Sequence, residues 1–367
     1  MKKAIYILSA IAVLLACTKE EALVIQKVPS PGDELFDADY YESLREWKKS
    51  THAISYVYYA AWAPLEGATS MFKNPQNMSE RFIGLPDSLD IVNLWMGVPS
   101  ADPADEYEYS PFAAADMKYC QEVKGTRFVM HADASHYGQT FVLDGKEWTV
   151  KMYDTESIEA YADYNAQQVM HFGLDGIDYD FEGWASVDMT TVIKRSGKYF
   201  GPKAETEEGR QMLNIIDYFG AQPSSAVEEY ISYLVRQAYS FQIGNSYGGL
   251  FGPSWCPPEK YIVCEQWNQN SANGTINSSN GGYVPYRGYN GETLKTLDEN
   301  GAEVNMASLE AYARFCADGN AGGFGAYYID QDYFFSRGTY YNLRRCINIA
   351  DKLMHNDAND DKDESDE

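Results

Sequence analysis

The sequence predicts an α/β protein built as a single (β/α)₈ TIM barrel. Three observations point there. Short apolar or alternating runs, bounded by turn residues, recur eight times between residues 51 and 354. Helical patterns fall between several of them, as βαβ units require. The stretch is about 300 residues without a low-complexity linker, a size that suits one barrel domain. A doubly wound open sheet is the alternative on pattern alone, but no glycine-rich phosphate loop follows the first strand.

In order, the strand segments begin at Ala53 (AISYVYYAAW), Asp90 (DIVNLWMG), Thr126 (TRFVMHADA), Gly176 (GIDYDFE), Met212 (MLNIIDYF), Tyr233 (YLVRQAYS), Tyr261 (YIVCEQW) and Gly322 (GGFGAYYID). The clearest helix starts at Thr155 (TESIEAYADYNAQQVMHFG), with threonine as the expected N-cap, an acidic first turn and Gly173 as the stop. In a barrel the active site gathers at the C-terminal ends of the strands. Chemistry is therefore sought at the ends of these eight runs.

The flanks differ in kind. Two lysines, an apolar run from Ala4 to Ala16 and then Cys17 open the chain. The run is too short to span a bilayer, so residues 1–16 read as a signal peptide. LLAC resembles the lipobox of bacterial lipoproteins, which implies a lipidated Cys17. CTKEE resembles the export signal of Bacteroidetes lipoproteins, which implies a lipid-anchored, surface-exposed protein of the outer membrane. Residues 17–50, with VPSPGDE, then read as a tether, and the acidic run at 355–367 as a disordered tail. Acidic or amide residues alternate from Asp357 to Asp363 as in a calcium loop, but Lys362 stands where that loop needs glycine.

The net charge of −25 excludes nucleic acid and anionic lipid as natural partners. Thirty tyrosines and seven tryptophans suit a protein that stacks on the C–H faces of sugars. Six cysteines leave five once Cys17 is set aside, an odd number with no metal-site spacing. Apolar burial, not a disulfide framework, must hold the fold. No cofactor is implied, and a monomer is the expected state.

The run LDGIDYDFEGW carries the strongest signal. Side chains alternate along a strand, so Asp178, Asp180 and Glu182 share one face while Ile177, Tyr179 and Phe181 share the other. In a barrel the apolar face meets the helices, so the acids point to the axis. Neighbours on one face are roughly 6.5–7 Å apart at Cα. Three ionised carboxylates at that spacing repel, so at least one should hold a proton near neutral pH, as a glycosidase requires for its leaving group. Solvated edge acids are the bland alternative, though the flanking HFGL and FEGW are apolar. A DxD pair binding a metal and a sugar nucleotide is another, and it leaves Glu182 without a task.

DGIDYDFE, Asp175 to Glu182, resembles the DxxDxDxE signature of glycoside hydrolase family 18, which includes chitinases and endo-β-N-acetylglucosaminidases. That resemblance implies Glu182 as general acid/base, Asp180 as the group that orients and stabilises the substrate acetamide, and Asp178 as the acid that shares a proton with Asp180. It gives Asp175, on the opposite parity, a bracing role, with Gly176 as part of the motif. It also implies retention of configuration through the substrate's 2-acetamido oxygen and an oxazolinium intermediate.

LVRQAYS resembles the family's sixth strand and implies an inward Tyr239 beside the acetamide. Gln237 shares its parity, and a buried polar pair is the alternative for both. GAYYID, with Tyr327, resembles the eighth strand of endoglycosidases acting on N-glycans more than the tryptophan-bearing strand of chitinases. YIVCEQWN and GTRFVMHADAS are similar to strands seven and three of the Bacteroidetes endoglycosidases. Trp184, next to the motif, is a further substrate-binding candidate. Tyr283, Tyr286 or Tyr289 in the Gly/Asn/Tyr-rich stretch after the seventh strand segment could stack on sugars, or that stretch could be a surface loop.

The expected function is an endo-β-N-acetylglucosaminidase acting on the GlcNAc-β1,4-GlcNAc core of N-linked glycans. The alternatives are a chitinase or chitooligosaccharide hydrolase, and a surface glycan-binding lipoprotein without turnover.

Overall fold

The computed structural model describes residues 36–59, 82–95, 97–132, 136–239, 247–267, 286–288, 291–298, 300–329, 332 and 339–363. Cys17 and the segment before it lie outside them, as do Tyr283 and Tyr289.

Eight parallel strands close into a barrel. They are β1 (Ile54–Tyr58), β2 (Ile91–Leu94), β3 (Arg127–Ala132), β6 (Gly176–Asp180), β7 (Leu213–Tyr218), β8 (Tyr233–Gln237), β9 (Tyr261–Gln266) and β12 (Gly323–Tyr327), each inside an expected strand segment. β12 pairs with β1 to complete the circuit. Two antiparallel hairpins lie outside the barrel: β4 (Thr140–Leu143) with β5 (Lys146–Thr149), and β10 (Lys295–Leu297) with β11 (Glu303–Asn305).

The helices are α1 (Ala38–Lys49), α2 (Pro111–Tyr119), α3 (Thr155–His171), α4 (Ser186–Ser196), α5 (Glu207–Gln211), α6 (Ser308–Ala317) and α7 (Tyr341–Asp363). A single 3₁₀ turn, Ser225–Val227, is the helical piece between β7 and β8. α3 buries Ile158, Tyr161, Ala162, Asn165, Ala166 and Val169, the stripe an amphipathic helix needs, and ends before Gly173 at φ +65°. Its N-cap is Asp154 and not Thr155, and the Asp154 side chain makes no capping hydrogen bond.

Alternation along each strand divides two cores. Outward residues such as Ile177, Tyr179, Phe181, Ile216 and Val263 pack against the helices. Inward residues Tyr56, Tyr58, Ile91, Val129, Leu213, Ile215, Val235, Ile262 and Cys264 fill the barrel. Two glycines are imposed by close approach. A Cβ on Gly176, whose φ is +148°, would meet the Leu213 carbonyl oxygen at 2.1 Å. One on Gly325 would meet the Tyr56 carbonyl oxygen at 1.5 Å.

Both expected flanks need correction. Residues 38–49 are helix, not tether: Tyr41 is buried, the Trp47 indole donates to Asp351, and Lys48 Nζ donates to the Leu89 carbonyl at 2.6 Å. The folded unit thus begins before residue 51. At the other end α7 continues through Asp363 into the acidic run, because extending an established helix costs far less than nucleating one. Cys120, Cys256, Cys264, Cys316 and Cys346 are all free and buried, so apolar packing carries the fold.

Candidate active site

The acids of the motif leave the C-terminal end of β6. Asp178 and Asp180 lie on the strand and Glu182 two residues beyond it, before Gly183 at φ +71°. Asp175, just ahead of the strand, braces it: its Oδ2 accepts from the Phe128 N–H at 2.8 Å and the Gln121 amide at 2.8 Å. Its own N–H donates to the Phe128 carbonyl, and its carbonyl accepts from the Leu213 N–H. One residue therefore ties β6 to both neighbouring strands.

Asp178 is fully buried, and its Oδ2 accepts hydrogen bonds from the Tyr56 hydroxyl and, at 2.8 Å, from the Asn93 amide. Burial pushes its pKa up to about 7, against the pull of those donors. The expected shared proton thus has a carboxyl able to hold it near neutrality. Asp180 accepts from the Gln237 amide at 3.3 Å.

The site also contains residues the motif does not announce. Asp217 on β7 stands directly opposite Asp180 in the strand register and is fully buried. It accepts from the Tyr58 hydroxyl. Desolvation, then the charges of Asp178 and Asp180, hold its pKa well above the carboxylate range. His131 on β3 sits within 3.2 Å of the Asn93 amide. It lies at the cavity wall but is surrounded by protein, and burial lowers its pKa to about 3, so the ring is neutral. In the sequence, Asp217 was visible only as an acid on the parity of Leu213 and Ile215, and Tyr56 and Tyr58 as an alternating pair.

Above these groups opens a cavity of about 260 Å³ lined by Tyr58, Trp95, His131, Asp180, Glu182, Gln237, Tyr239 and Tyr327. Trp95 packs edge-on to Tyr327 at 4.8 Å between centroids and to Tyr328 at 5.1 Å. Tyr328 adopts φ +59°, a conformation costly for an aromatic residue and one of the strained positions that concentrate at functional sites. Other cavities, at the opposite end of the barrel beside Arg127 and Arg210 and on the outside beside His171, hold none of these acids.

The structure thus brings Asp178, Asp180, Glu182, Gln237, Tyr239 and Tyr327 together. Trp184 is not with them. It is 7% exposed and packs against Tyr137 at 5.0 Å and Tyr161 at 5.8 Å, on the helix side of the strand end. The expectation that it touches substrate is corrected: the strand ends at Asp180 and the chain turns at Gly183, so Trp184 no longer follows the alternation of the motif and lands on the helix side. Trp95, from β2, is a tryptophan that does line the cavity. Tyr286 is likewise buried, edge-on to Tyr312, so it does not stack on sugar.

His131, Asp178 and Asp217 offer atoms within 4.8 Å of one another, a spacing a cation could bridge. The donors do not fit one. Tyr56, Tyr58 and Asn93 already direct O–H and N–H dipoles at these carboxyls, placing positive ends where a cation would sit.

The profile of "Glycoside hydrolase family 18, BT1044-like" matches residues 18–349. The chain belongs to glycoside hydrolase family 18. It is 25% identical over 214 residues to an endo-beta-N-acetylglucosaminidase of Bifidobacterium longum subsp. infantis, a match covering 55% of this chain and 39% of that relative. The chain thus spans well under half the length of this curated relative. Among solved structures, a selenomethionine Glu-to-Gln variant of BT1044 superposes with a TM-score of 0.62 at 19% identity, over 86% of this chain and 93% of that one. An endo-beta-N-acetylglucosaminidase from Cordyceps militaris, a doubly substituted variant in complex with fucosyl-N-acetylglucosamine-Asn, superposes with a TM-score of 0.56 at 20% identity, over 86% and 97%. At these identities the likeness of the solved structures is one of fold.

Proposed function

We propose that the protein is a retaining endo-β-N-acetylglucosaminidase that cleaves between the two core N-acetylglucosamines of N-linked glycans. The observation that carries the reading is the pairing of Glu182 and Asp180 on one wall of the aromatic cavity, with Gln237 and Tyr239 beside Asp180. Glu182 protonates the departing glycosidic oxygen. The acetamido oxygen of the same substrate sugar attacks the anomeric carbon from the other face, and Asp180 takes the acetamide N–H and steadies the positive charge that develops. Glu182, now a carboxylate, then draws a proton from water, which opens the oxazolinium ring with retained configuration. Tyr327 closes the floor where chitinases of the family carry tryptophan, which favours an N-glycan core over a chitin chain.

The test is the mass of the glycan released from a panel of defined glycoproteins, beside an incubation with chitin oligomers. Release of glycans one N-acetylglucosamine short, with chitin oligomers untouched, supports the reading. Cleavage of the oligomers alone replaces it with a chitooligosaccharide hydrolase, and binding without cleavage replaces it with a lectin-like surface protein. Glu182→Gln should abolish release and preserve glycan binding, and a thiazoline analogue of the intermediate should inhibit. We also propose lipid anchoring through Cys17 at the cell surface, which predicts palmitate labelling that Cys17→Ala removes.

A further inference from the structure

Asp217 has no place in the family signature, yet it is as enclosed as any acid in the site. The groups that face it are Asp178 and Asp180 from β6, Tyr56 and Tyr58 from β1, His131 from β3, Tyr239 from the end of β8 and Cys264 from β9. None of these is a cation, since the His131 ring is neutral. Asp178 Oδ1 and Asp217 Oδ1 are both sealed from solvent, and among the described residues neither accepts a hydrogen bond. Two enclosed, donorless carboxylate oxygens cannot both belong to anions without a large desolvation cost. One proton shared within the acid cluster relieves both.

The donors decide where that proton resides. Asp178 is reached by two of them, the Tyr56 hydroxyl and the Asn93 amide, which favour its anion. Asp217 accepts from the Tyr58 hydroxyl, and its other side-chain bond is to a second carboxyl, that of Asp180, which favours the acid. We propose that Asp217 works as a neutral carboxylic acid, a positioning residue that donates its proton to the Asp178–Asp180 pair and so holds Asp180 at the cavity wall and Asp178 beneath it. On Asp217 desolvation and the charges of Asp178 and Asp180 act in the same direction, whereas on Asp178 the Tyr56 and Asn93 donors oppose desolvation. The role deepens the glycosidase reading and rests on it for its kinetic readout, though not for its spectroscopic one.

Asparagine mimics a protonated aspartic acid in shape, neutrality and donor capacity, whereas alanine keeps none of the hydrogen bonding. Asp217→Asn should therefore rescue most of the activity, roughly a third or more of wild-type kcat, while Asp217→Ala loses about 100-fold in kcat with KM nearly unchanged. The acidic limb of the pH profile should not move in Asp217→Asn, because no charge has been removed. In infrared difference spectra at about pH 9, the carbonyl stretch of a protonated carboxyl should be present in the wild type and absent in Asp217→Asn. An acidic limb displaced to lower pH, or an Asn variant as impaired as Ala, would mean that Asp217 acts as an anion and would overturn the proposal. So would a carboxyl band that survives Asp217→Asn. If the protein turns over no glycan at all, the proposed activity fails while the infrared experiment still decides the state of Asp217. If Asp217→Ala does not fold, the Asn variant supplies both the pH profile and the band.

Discussion

Two layers of the barrel interior lie on the same strands and share the same inward parity, yet they are built from opposite materials. Toward the N-terminal end the layer is hydrocarbon: Ile91, Val129, Leu213, Ile215, Val235 and Ile262 are all buried, with no polar group to satisfy. A step or two further along β1, β2, β3, β6 and β7 come Tyr56, Tyr58, Asn93, His131, Asp178, Asp180 and Asp217. The lower layer stabilises by removing apolar surface from water and by close packing. The upper layer concentrates three buried acids that desolvation opposes, held in place by tyrosine hydroxyls and an amide. Stability is supplied below so that strained electrostatics can be tolerated above.

If that division holds, a change in either layer should move one property and spare the other. The largest effect is expected at Asp180. Asp180→Leu should lower kcat about 1,000-fold, as loss of the main stabiliser of developing charge does. Its thermal midpoint should be equal to the wild type or higher, because a buried acid has been replaced by hydrocarbon. A variant that loses its fold along with its activity would erase the contrast. In the lower layer, Ile215→Ala should cost about 2–5 kcal/mol in urea unfolding and leave kcat per folded molecule close to that of the wild type.

The third effect is one of pH. Asp178 has a folded pKa raised from 3.8 to about 7, so the folded state binds a proton more tightly than the unfolded chain. That contribution is fully present below the unfolded pKa and is lost as pH rises through the folded value. Urea midpoints of the wild type should therefore fall between about pH 4 and pH 7, and part of this fall should vanish in Asp178→Asn. Asp332, at the start of α7, is raised to about 6 by burial and acts with the same sign, so the comparison must be variant against wild type, not pH against pH. An identical slope in both proteins would show that Asp178 does not titrate in this window.

The same two layers explain what could be read from sequence. The strands were legible because each is a short apolar run that burial on both sides demands, closed by glycine or a polar turn. The motif acids were legible because three of them alternate within one strand. Asp217, Tyr56, Tyr58, Asn93 and His131 were not, since they are scattered over four strands, one or two to each, and only closure of the barrel brings them to Asp178. α1 escaped notice for another reason. Its ADYYESLREWKK reads as polar, and its burial rests on Tyr41 and on long side chains whose tips hydrogen-bond inward, such as Arg45 to the Val123 carbonyl at 2.7 Å.

The smallest effect separates the two tryptophans that sequence proximity confuses. Trp95 and Trp184 both follow barrel strands, but Trp95 continues the inward parity of Asn93, whereas Trp184 sits among Tyr137, Tyr161 and His136 behind the strand end. Tyr137 is itself pinned there, its hydroxyl donating to Asp188 at 2.6 Å and accepting from the Ala185 N–H at 3.0 Å. Trp184→Ala should therefore appear as a loss of stability of about 3–5 kcal/mol with KM little changed. Trp95→Ala should raise KM roughly tenfold, the worth of one stacked aromatic face, with a much smaller change in the unfolding midpoint. The reverse pattern, with KM responding to Trp184 and stability to Trp95, would place the sugar on the helix side of β6, where neither Asp180 nor Glu182 could reach it.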